Sequence, residues 1–259
     1  FHLFTPAEAV RRVYLGRIDY VLTSAAGNVS VEILDAAGTL VRRLPDTGLH
    51  TAGAHRVTWD LRYPGATVFP GMILRSANPQ QGPVAPPGRY HVRLTVDGQS
   101  QTRDLTILKD PGLTEVTQAD LDEQFAVTMK IRDQTSAANE AVIRIRDLKR
   151  EISGRVAQAK DRQMTAAAEA LGRKLSAVEE ELYQVKNQSP KDVLALPIKL
   201  NNRLAALMRV AQSADARPTD QIYTLLEKLS ADLAVQITAL NELVEKDLAQ
   251  FNQRLAARR

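Results

Sequence analysis

The chain has 259 residues, of which 44% are hydrophobic and 25% charged, a composition typical of folded globular proteins that excludes a largely disordered chain. It contains no cysteine, which excludes a thiolate metal cluster, a cysteine nucleophile and a disulfide framework. The net charge of +4 is spread evenly along the chain, so no concentrated basic face for nucleic acid is expected, and no apolar run approaches the roughly 20 residues of a membrane span.

The first 112 residues predict short β-strands joined by tight turns. Apolar and polar residues alternate in six segments, at 18–23, 29–34, 40–44, 55–60, 90–96 and 99–107. Asp35–Gly38 and Asp97-Gly98 predict chain reversals, because glycine accepts the positive φ that a hairpin turn needs. Trp59, the one tryptophan, is expected to fill a small core. This pattern predicts an immunoglobulin-like antiparallel β-sandwich over residues 1–112.

A long connection rich in proline and glycine runs between Asp60 and Pro86. Loops of this length inside compact domains are usually functional or mobile. Its apolar residues form a candidate binding surface, consisting of Tyr63, Phe69, Met72, Ile73 and Leu74. Such a surface would serve as a carbohydrate-stacking platform or as a docking surface for a neighbouring domain. The alternative is that these side chains tuck back beneath the loop and extend the core.

The sequence period changes near residue 112, where alternation gives way to helical spacing. Residues 108–112 are therefore the predicted hinge between a sandwich domain, 1–112, and a helical domain, 113–259. Thr117 and Asp120 predict a capping box that opens a helix of about 40 residues, roughly 60 Å long. A second helix is expected to carry apolar residues from Leu171 to Val185. Ser189 and Pro190 predict the start of a third helix, which Pro197 can delay.

The last predicted helix carries an unbroken apolar seam with an average spacing of about 3.7 residues. The seam consists of Ile222, Leu226, Leu229, Leu233, Ile237, Leu240, Val244, Leu248, Phe251 and Leu255. A seam this long must pack against the other helices or against another chain. The preferred interpretation is an antiparallel bundle of three to four long helices, so that the fold class is α+β with segregated parts. The alternative is a homo-oligomer formed through the bundle.

The sequence gives no constellation of catalytic residues. The four histidines, at positions 2, 50, 55 and 91, lack the helical i, i+4 spacing of a zinc site. The acidic run Glu179-Glu180-Glu181 is expected on an exposed helix, and most other carboxylates lie beside turns. No nucleophile elbow, phosphate-binding loop or dinucleotide fingerprint occurs. We therefore assign no catalytic, cofactor-binding or metal-binding residue.

Several runs of sequence resemble the region that follows the β-propeller in large bacterial sortilin-like proteins with BNR (Asp-box) repeats, which are often labelled glycosyl hydrolases. The runs that carry this resemblance are 3–6, 18–22, 31–38, 55–62, 131–133, 145–148, 204–207 and 213–219. The segment 85–98 also fits that region, and it resembles the immunoglobulin-like domain of flagellar hook-capping proteins.

The resemblance implies a role outside catalysis. The Asp-box repeat itself does not occur in the chain, so any sialidase-like or peptide-binding site would lie in a propeller upstream of Phe1. The chain would then be an accessory region of a secreted bacterial protein, extracellular or periplasmic, with that propeller as its partner. The start at Phe1 is consistent with a processed or truncated product. Two alternatives remain open: part of a BNR-repeat glycosyl hydrolase, or a carbohydrate-binding module that uses the 61–83 loop.

Overall fold

The structure, a computed structural model, describes residues 1–11, 15–159 and 161–257. It contains two compact units. The sheet unit comprises Phe1–Gly65, Gln81–Ala126 and Ala214–Pro218. The helical unit comprises Ala66–Gln80, Val127–Ser213 and Thr219–Arg259.

The strands of the sheet unit form two main sheets and a small third one. Their bounds are β1 His2–Leu3, β2 Ala9–Val10, β3 Gly16–Leu22, β4 Val29–Asp35, β5 Leu40–Arg43, β6 Gly53–Trp59, β7 Arg62–Pro64, β8 Gln81–Val84, β9 Gly88–Val96 and β10 Gln99–Leu108. The first sheet has the order β1-β3-β6 and the second the order β2-β10-β9-β4-β5. Strands β7 and β8 pair with each other.

Alternation along the strands builds the sandwich core. In β9 the side chains of Tyr90, Val92 and Leu94 are buried, while the residues between them are partly exposed. Together with residues of β3, β4 and β6 they form one apolar cluster around Trp59, which is fully buried and packs edge-to-face against Tyr90 at 5.5 Å. The predicted plug of the core is therefore confirmed, because an alternating strand turns every second side chain inward.

The two predicted reversals are also confirmed. Gly38 has φ of 83°, and the carboxylate of Asp35 accepts hydrogen bonds from the amides of Ala37 and Thr39. Asp97 and Gly98 both have positive φ, 46° and 86°, as a two-residue hairpin loop requires.

Four short strands were not predicted, namely β1, β2, β7 and β8. Segments of two to four residues are too short to show a period, so alternation cannot reveal them. β2 pairs in parallel with β10, which places one parallel pair in a sandwich that was expected to be wholly antiparallel.

The described part of the chain has four separate helical segments after the sheets. The first three are α1 Gln118–Ala159, α2 Arg162–Leu182 and α3 Leu200–Ala211. The fourth begins as α4 Asp220–Glu242 and continues through a π-helical turn, Leu243–Leu248, into α5 Ala249–Ala256. The capping box at the start of α1 is confirmed. The Thr117 amide donates to the Asp120 carboxylate at 2.8 Å, and the Asp120 amide donates to the Thr117 hydroxyl at 3.2 Å.

The start of the third helix was predicted too early. Ser189 and Pro190 do not open a helix, and the chain forms only a 3₁₀ turn at Asp192–Leu194 before α3 begins at Leu200. The Asp192 carboxylate accepts the amides of Gln188 and Ser189 and closes a local turn instead. Val185, expected on the second helix, lies beyond its end and is 37% exposed.

The seam of the last helix lies in the core of the helical unit. Of its ten residues seven are buried, and Ile237, Val244 and Leu248 are partly buried against the same cluster. The cluster also contains residues of α1, α2 and α3, so helices of the same chain cover the seam. No helix in the described ranges is long and apolar enough to cross a membrane.

Each compact unit contains segments from both sides of residue 112, the predicted boundary. The connection 66–80 belongs to the helical unit, although it lies between two strands in sequence. The first turns of α1 and the segment 214–218 belong to the sheet unit. A boundary read from the sequence period marks where strands give way to helices, and it cannot report which core a connecting segment packs against.

The backbone at Gly82 leaves no space for a side chain. A Cβ atom there would lie 2.0 Å from the carbonyl oxygen of Tyr63 and 2.5 Å from that of Pro64. We expect Gly82→Ala to lower the free energy of unfolding by about 2 kcal/mol or more, because the β7–β8 pair must separate. Chemical denaturation measures this loss. The control is Gly154→Ala in α1, where the added carbon would contact no described residue beyond its chain neighbours and the backbone of its own helix, and a gain of about 0.5–1 kcal/mol is expected.

Candidate functional site

The five residues of the predicted binding surface are divided between the two compact units. Tyr63 belongs to the sheet unit, whereas Phe69, Met72, Ile73 and Leu74 belong to the helical unit. Tyr63 is half-buried in β7, and its ring lies 4.7 Å from the ring of Phe125. Burial raises the pKa of the Tyr63 hydroxyl above its ordinary value.

Phe69 is the anchor of the connection 66–80. Its side chain is only 6% exposed and forms a T-shaped contact with Tyr183, with ring centroids 5.1 Å apart. The guanidinium of Arg146 lies over the Phe69 ring, 4.6 Å from its centroid. Met72 and Leu74 pack against the same helical core. These residues therefore extend a core, as the alternative interpretation of the loop proposed.

Side chains of α1 hold the beginning of this connection. The amide of Thr67 donates to the hydroxyl of Ser136 at 3.1 Å, and the side-chain amide of Asn139 donates to the Thr67 carbonyl at 2.7 Å. The Thr67 hydroxyl donates to the carboxylate of Glu140 at 2.8 Å. Residues on consecutive turns of α1 thus bind one residue of the connection at its backbone and its side chain.

The middle of the connection is held from α3 and from the segment between α2 and α3. The amide of Ile73 donates to the hydroxyl of Tyr183 at 3.1 Å, and Asn187 donates to the Ile73 carbonyl at 3.2 Å. Asn202 binds both backbone groups of Arg75, accepting from the amide at 2.7 Å and donating to the carbonyl at 3.0 Å. We call these five side chains, Ser136, Asn139, Tyr183, Asn187 and Asn202, the loop clamp.

A buried asparagine pair extends the loop clamp into the helical core. Asn201 donates to the side-chain oxygen of Asn139 at 2.9 Å, and both side chains are fully buried. Polar groups in an apolar core fix the alignment of the helices that carry them, because any shift would leave them without partners.

In the sheet unit a buried ion pair has a comparable role. Arg11 follows β2 and binds Asp215 in a bidentate manner, with nitrogen–oxygen distances of 2.7 and 3.0 Å and side chains that are 1% and 7% exposed. Arg11 also donates to the carbonyl of Ala85 at 3.2 Å and to the side-chain oxygen of Gln124 at 3.3 Å. Gln124 in turn donates to the carbonyl of Ala214 at 2.7 Å. These bonds join four segments that are distant in sequence.

The buried carboxylate of Glu32 lies between two arginines. Arg43 and Arg93 each donate two hydrogen bonds to it, at 2.6–3.1 Å. The bonds from Arg43, with those from Arg93, hold the pKa of Glu32 below its ordinary value, although burial alone would raise it. A general acid needs a carboxyl with a raised pKa, so this environment favours a structural role.

The histidines form separate and partly exposed contacts. His50 lies 3.0 Å from Asp46, and His91 lies 2.8 Å from Asp104. His55 contacts the backbone carbonyl of Thr51 at 2.7 Å. Within the described ranges, no group of three or more histidine, cysteine or acidic residues is placed to hold a metal ion.

Sequence reasoning missed the residues that hold the connections. Arg11 stands next to another arginine near the N-terminus, a pattern typical of a solvated surface, and its partner lies 204 positions away. Asn201 and Asn202 stand at the start of a helix, where exposed polar residues are common. One sequence feature includes a partner of Arg11: the run 213–219, which carries the family resemblance, contains Asp215.

One known family matches the N-terminal part of the chain. The FlgD Ig-like domain matches residues 13–72, which include β3 to β7. The predicted fold class is therefore confirmed: an Ig-like β-sandwich precedes a helical region in an α+β arrangement.

The other comparisons add little. The chain is similar to the crystal structure of CopC from Methylosinus trichosporium OB3b, at 15% identity over 42% of this chain and 96% of that chain, with a TM-score of 0.26. A likeness at that score carries no argument. A comparison with curated proteins gives no match.

The ion pair between Arg11 and Asp215 generates a stability prediction. Arg11→Met would remove the guanidinium that binds both the buried Asp215 carboxylate and the Ala85 carbonyl, so we expect a loss of about 3–5 kcal/mol in the free energy of unfolding. The matched control is Arg217→Met, whose partner Glu123 is 36% exposed and whose loss should cost about 1 kcal/mol or less. Equal effects of the two substitutions in urea denaturation would contradict the structural role of Arg11.

Glu32 generates a prediction for acid stability. Because its pKa is lower in the folded than in the unfolded chain, its contribution is complete above the unfolded value, about 4.3, and disappears as pH falls through the folded value. We expect Glu32→Gln to lose about 1–3 kcal/mol at pH 7 and to lose less further stability than the wild type below about pH 4. Denaturation at a series of pH values checks this, and parallel acid profiles of the two proteins would refute it.

Proposed function

We propose that the chain is a non-catalytic accessory region of a larger secreted bacterial protein, in which it mediates domain packing or protein–protein assembly. The observation that supports this most directly is the use of its buried polar groups. Arg11, Glu32, Asn139 and Asn202 bind other groups of the chain and hold connections in place. Side chains engaged in this way position a scaffold and are poorly suited to react with a substrate.

The parent protein in this proposal has a β-propeller upstream of the Ig-like sandwich. The proposal rests on the runs of sequence that resemble the region following such propellers in sortilin-like BNR-repeat proteins. The match to the FlgD Ig-like domain is compatible with it, because an Ig-like fold by itself fixes no activity. An extracellular or periplasmic location is part of the same proposal.

Activity measurements test the non-catalytic part of the proposal. The purified chain should hydrolyse neither sialosides nor peptides above the rate of a buffer blank, because its buried polar side chains are bound to other groups of the chain. Heat-denatured chain from the same preparation serves as the control for contaminating enzymes. Turnover that is lost on denaturation and that co-purifies with the chain would refute the proposal.

The upstream reading frame tests the parentage. We expect the coding sequence before Phe1 to contain Asp-box repeats, and we expect the propeller they encode, produced separately, to bind this chain in a 1:1 complex measured by light scattering. A different upstream domain would contradict the propeller parentage, whereas a propeller that fails to bind would contradict the packing role.

A further inference from the structure

The helical unit contains an open cavity of about 700 Å³ between α1 and α2. α1 contributes Ile152 and Val156, and α2 contributes Ala168, Gly172 and Ser176. Residues three or four positions apart lie on one face of a helix, so each helix lines the cavity with a single stripe. The small residues of α2 leave the space open. Its volume falls within the range of about 300–1,000 Å³ that is usual for small-molecule sites.

The end of the cavity next to Glu179 is polar, and the opposite end is more apolar, although Thr165 and Glu169 lie there beside Ala168. α1 and α2 are antiparallel neighbours, and Lys149 of α1 contacts Glu179 of α2 at 2.7 Å, which fixes their register. Lys149 and Ser176 therefore lie at the end next to Glu179, while Val156 and Ala168 lie toward the turn between the helices.

The charges at the polar end favour an anion. Glu179 is buried and already bound by two cations, since Arg146 Nε and Lys149 Nζ each lie 2.7 Å from one of its oxygens. These three side chains carry a net positive charge, and a lysine ammonium has three donors, of which Glu179 occupies one. Arg173 adds a second cation to the lining of the cavity, against one carboxylate, Glu169.

We propose that this cavity binds an anionic amphiphile with a single alkyl chain, of the fatty-acid class. The carboxylate lies at the polar end beside Lys149 and Arg173, and the alkyl chain lies along Ile152, Val156 and Ala168. The stretch from residue 149 to 157 of α1 is about 12 Å long, which suits a chain of medium length. This site goes beyond the accessory role proposed above and does not depend on it.

Calorimetric titration of the intact chain with dodecanoate, below its micellar concentration, tests the proposal. We expect saturable 1:1 binding and weaker binding of uncharged dodecanol. Ala168→Leu fills the apolar end and should weaken dodecanoate binding by about tenfold or more, whereas Ala170→Leu makes the same change at an exposed position of α2 and should leave affinity unchanged. Arg173→Gln should weaken dodecanoate binding by about threefold to tenfold and leave dodecanol binding unchanged.

Circular dichroism confirms that each variant is folded, and Ser153→Leu, which fills the cavity from α1, replaces Ala168→Leu if that variant does not fold. The proposal is overturned if the wild-type chain shows no saturable binding of dodecanoate. It is also overturned if the filling variant binds as tightly as Ala170→Leu, because binding would then occur elsewhere. Neither result would alter the hydrolysis and propeller-binding outcomes that test the accessory role.

Discussion

The backbone of the connection 66–80 forms neither strand nor helix, yet much of it lies against an apolar core. Buried amide and carbonyl groups need hydrogen-bond partners, and each one left without a partner costs about 1–3 kcal/mol. Here the partners are side chains of the helical unit, and Asn202 alone satisfies both backbone groups of Arg75. The path of the connection therefore depends on where α1, α3 and the segment before α3 place their asparagines, and Phe69 adds the apolar contact that anchors it.

In the sheet unit, a charged side chain, that of Arg11, supplies hydrogen bonds to buried groups. Arg11 donates to the carbonyl of Ala85, to the side-chain oxygen of Gln124 and to the carboxylate of Asp215. One guanidinium therefore joins the end of an N-terminal strand to three later segments. A planar group with five donors suits such a junction, because several partners can be satisfied at once. The side chains that bind the connection 66–80 and the hydrogen bonds of Arg11 explain why the compact units do not follow the order of the sequence. In both units, buried polar residues bind other groups of the same chain.

The sequence predicted the elements that have a long period and missed the contacts that link them. The seam of the last helix, the alternation of β9 and the glycine turns each follow from local geometry, so they could be inferred without a structure. The start of α3 could not, because Ser189 and Pro190 form a valid cap signal that the chain uses for a turn around Asp192. Of the candidate surface from Tyr63 to Leu74 only Phe69 is buried, and no pattern in a proline-rich connection tells which core will accept it. Long-range pairs such as Arg11 with Asp215 leave no periodic trace at all.

The connection 66–80 is a fixed structural strap and not a mobile loop. Native-state hydrogen exchange measures this directly, because the amides of Ile73 and Arg75 donate to side chains of the loop clamp. We expect both amides to exchange about as slowly as those of α3, and we expect Asn202→Ala to accelerate the exchange of the Arg75 amide far more than that of the Ile73 amide. Exchange of both amides in the wild type at the rate of an open loop would contradict this expectation.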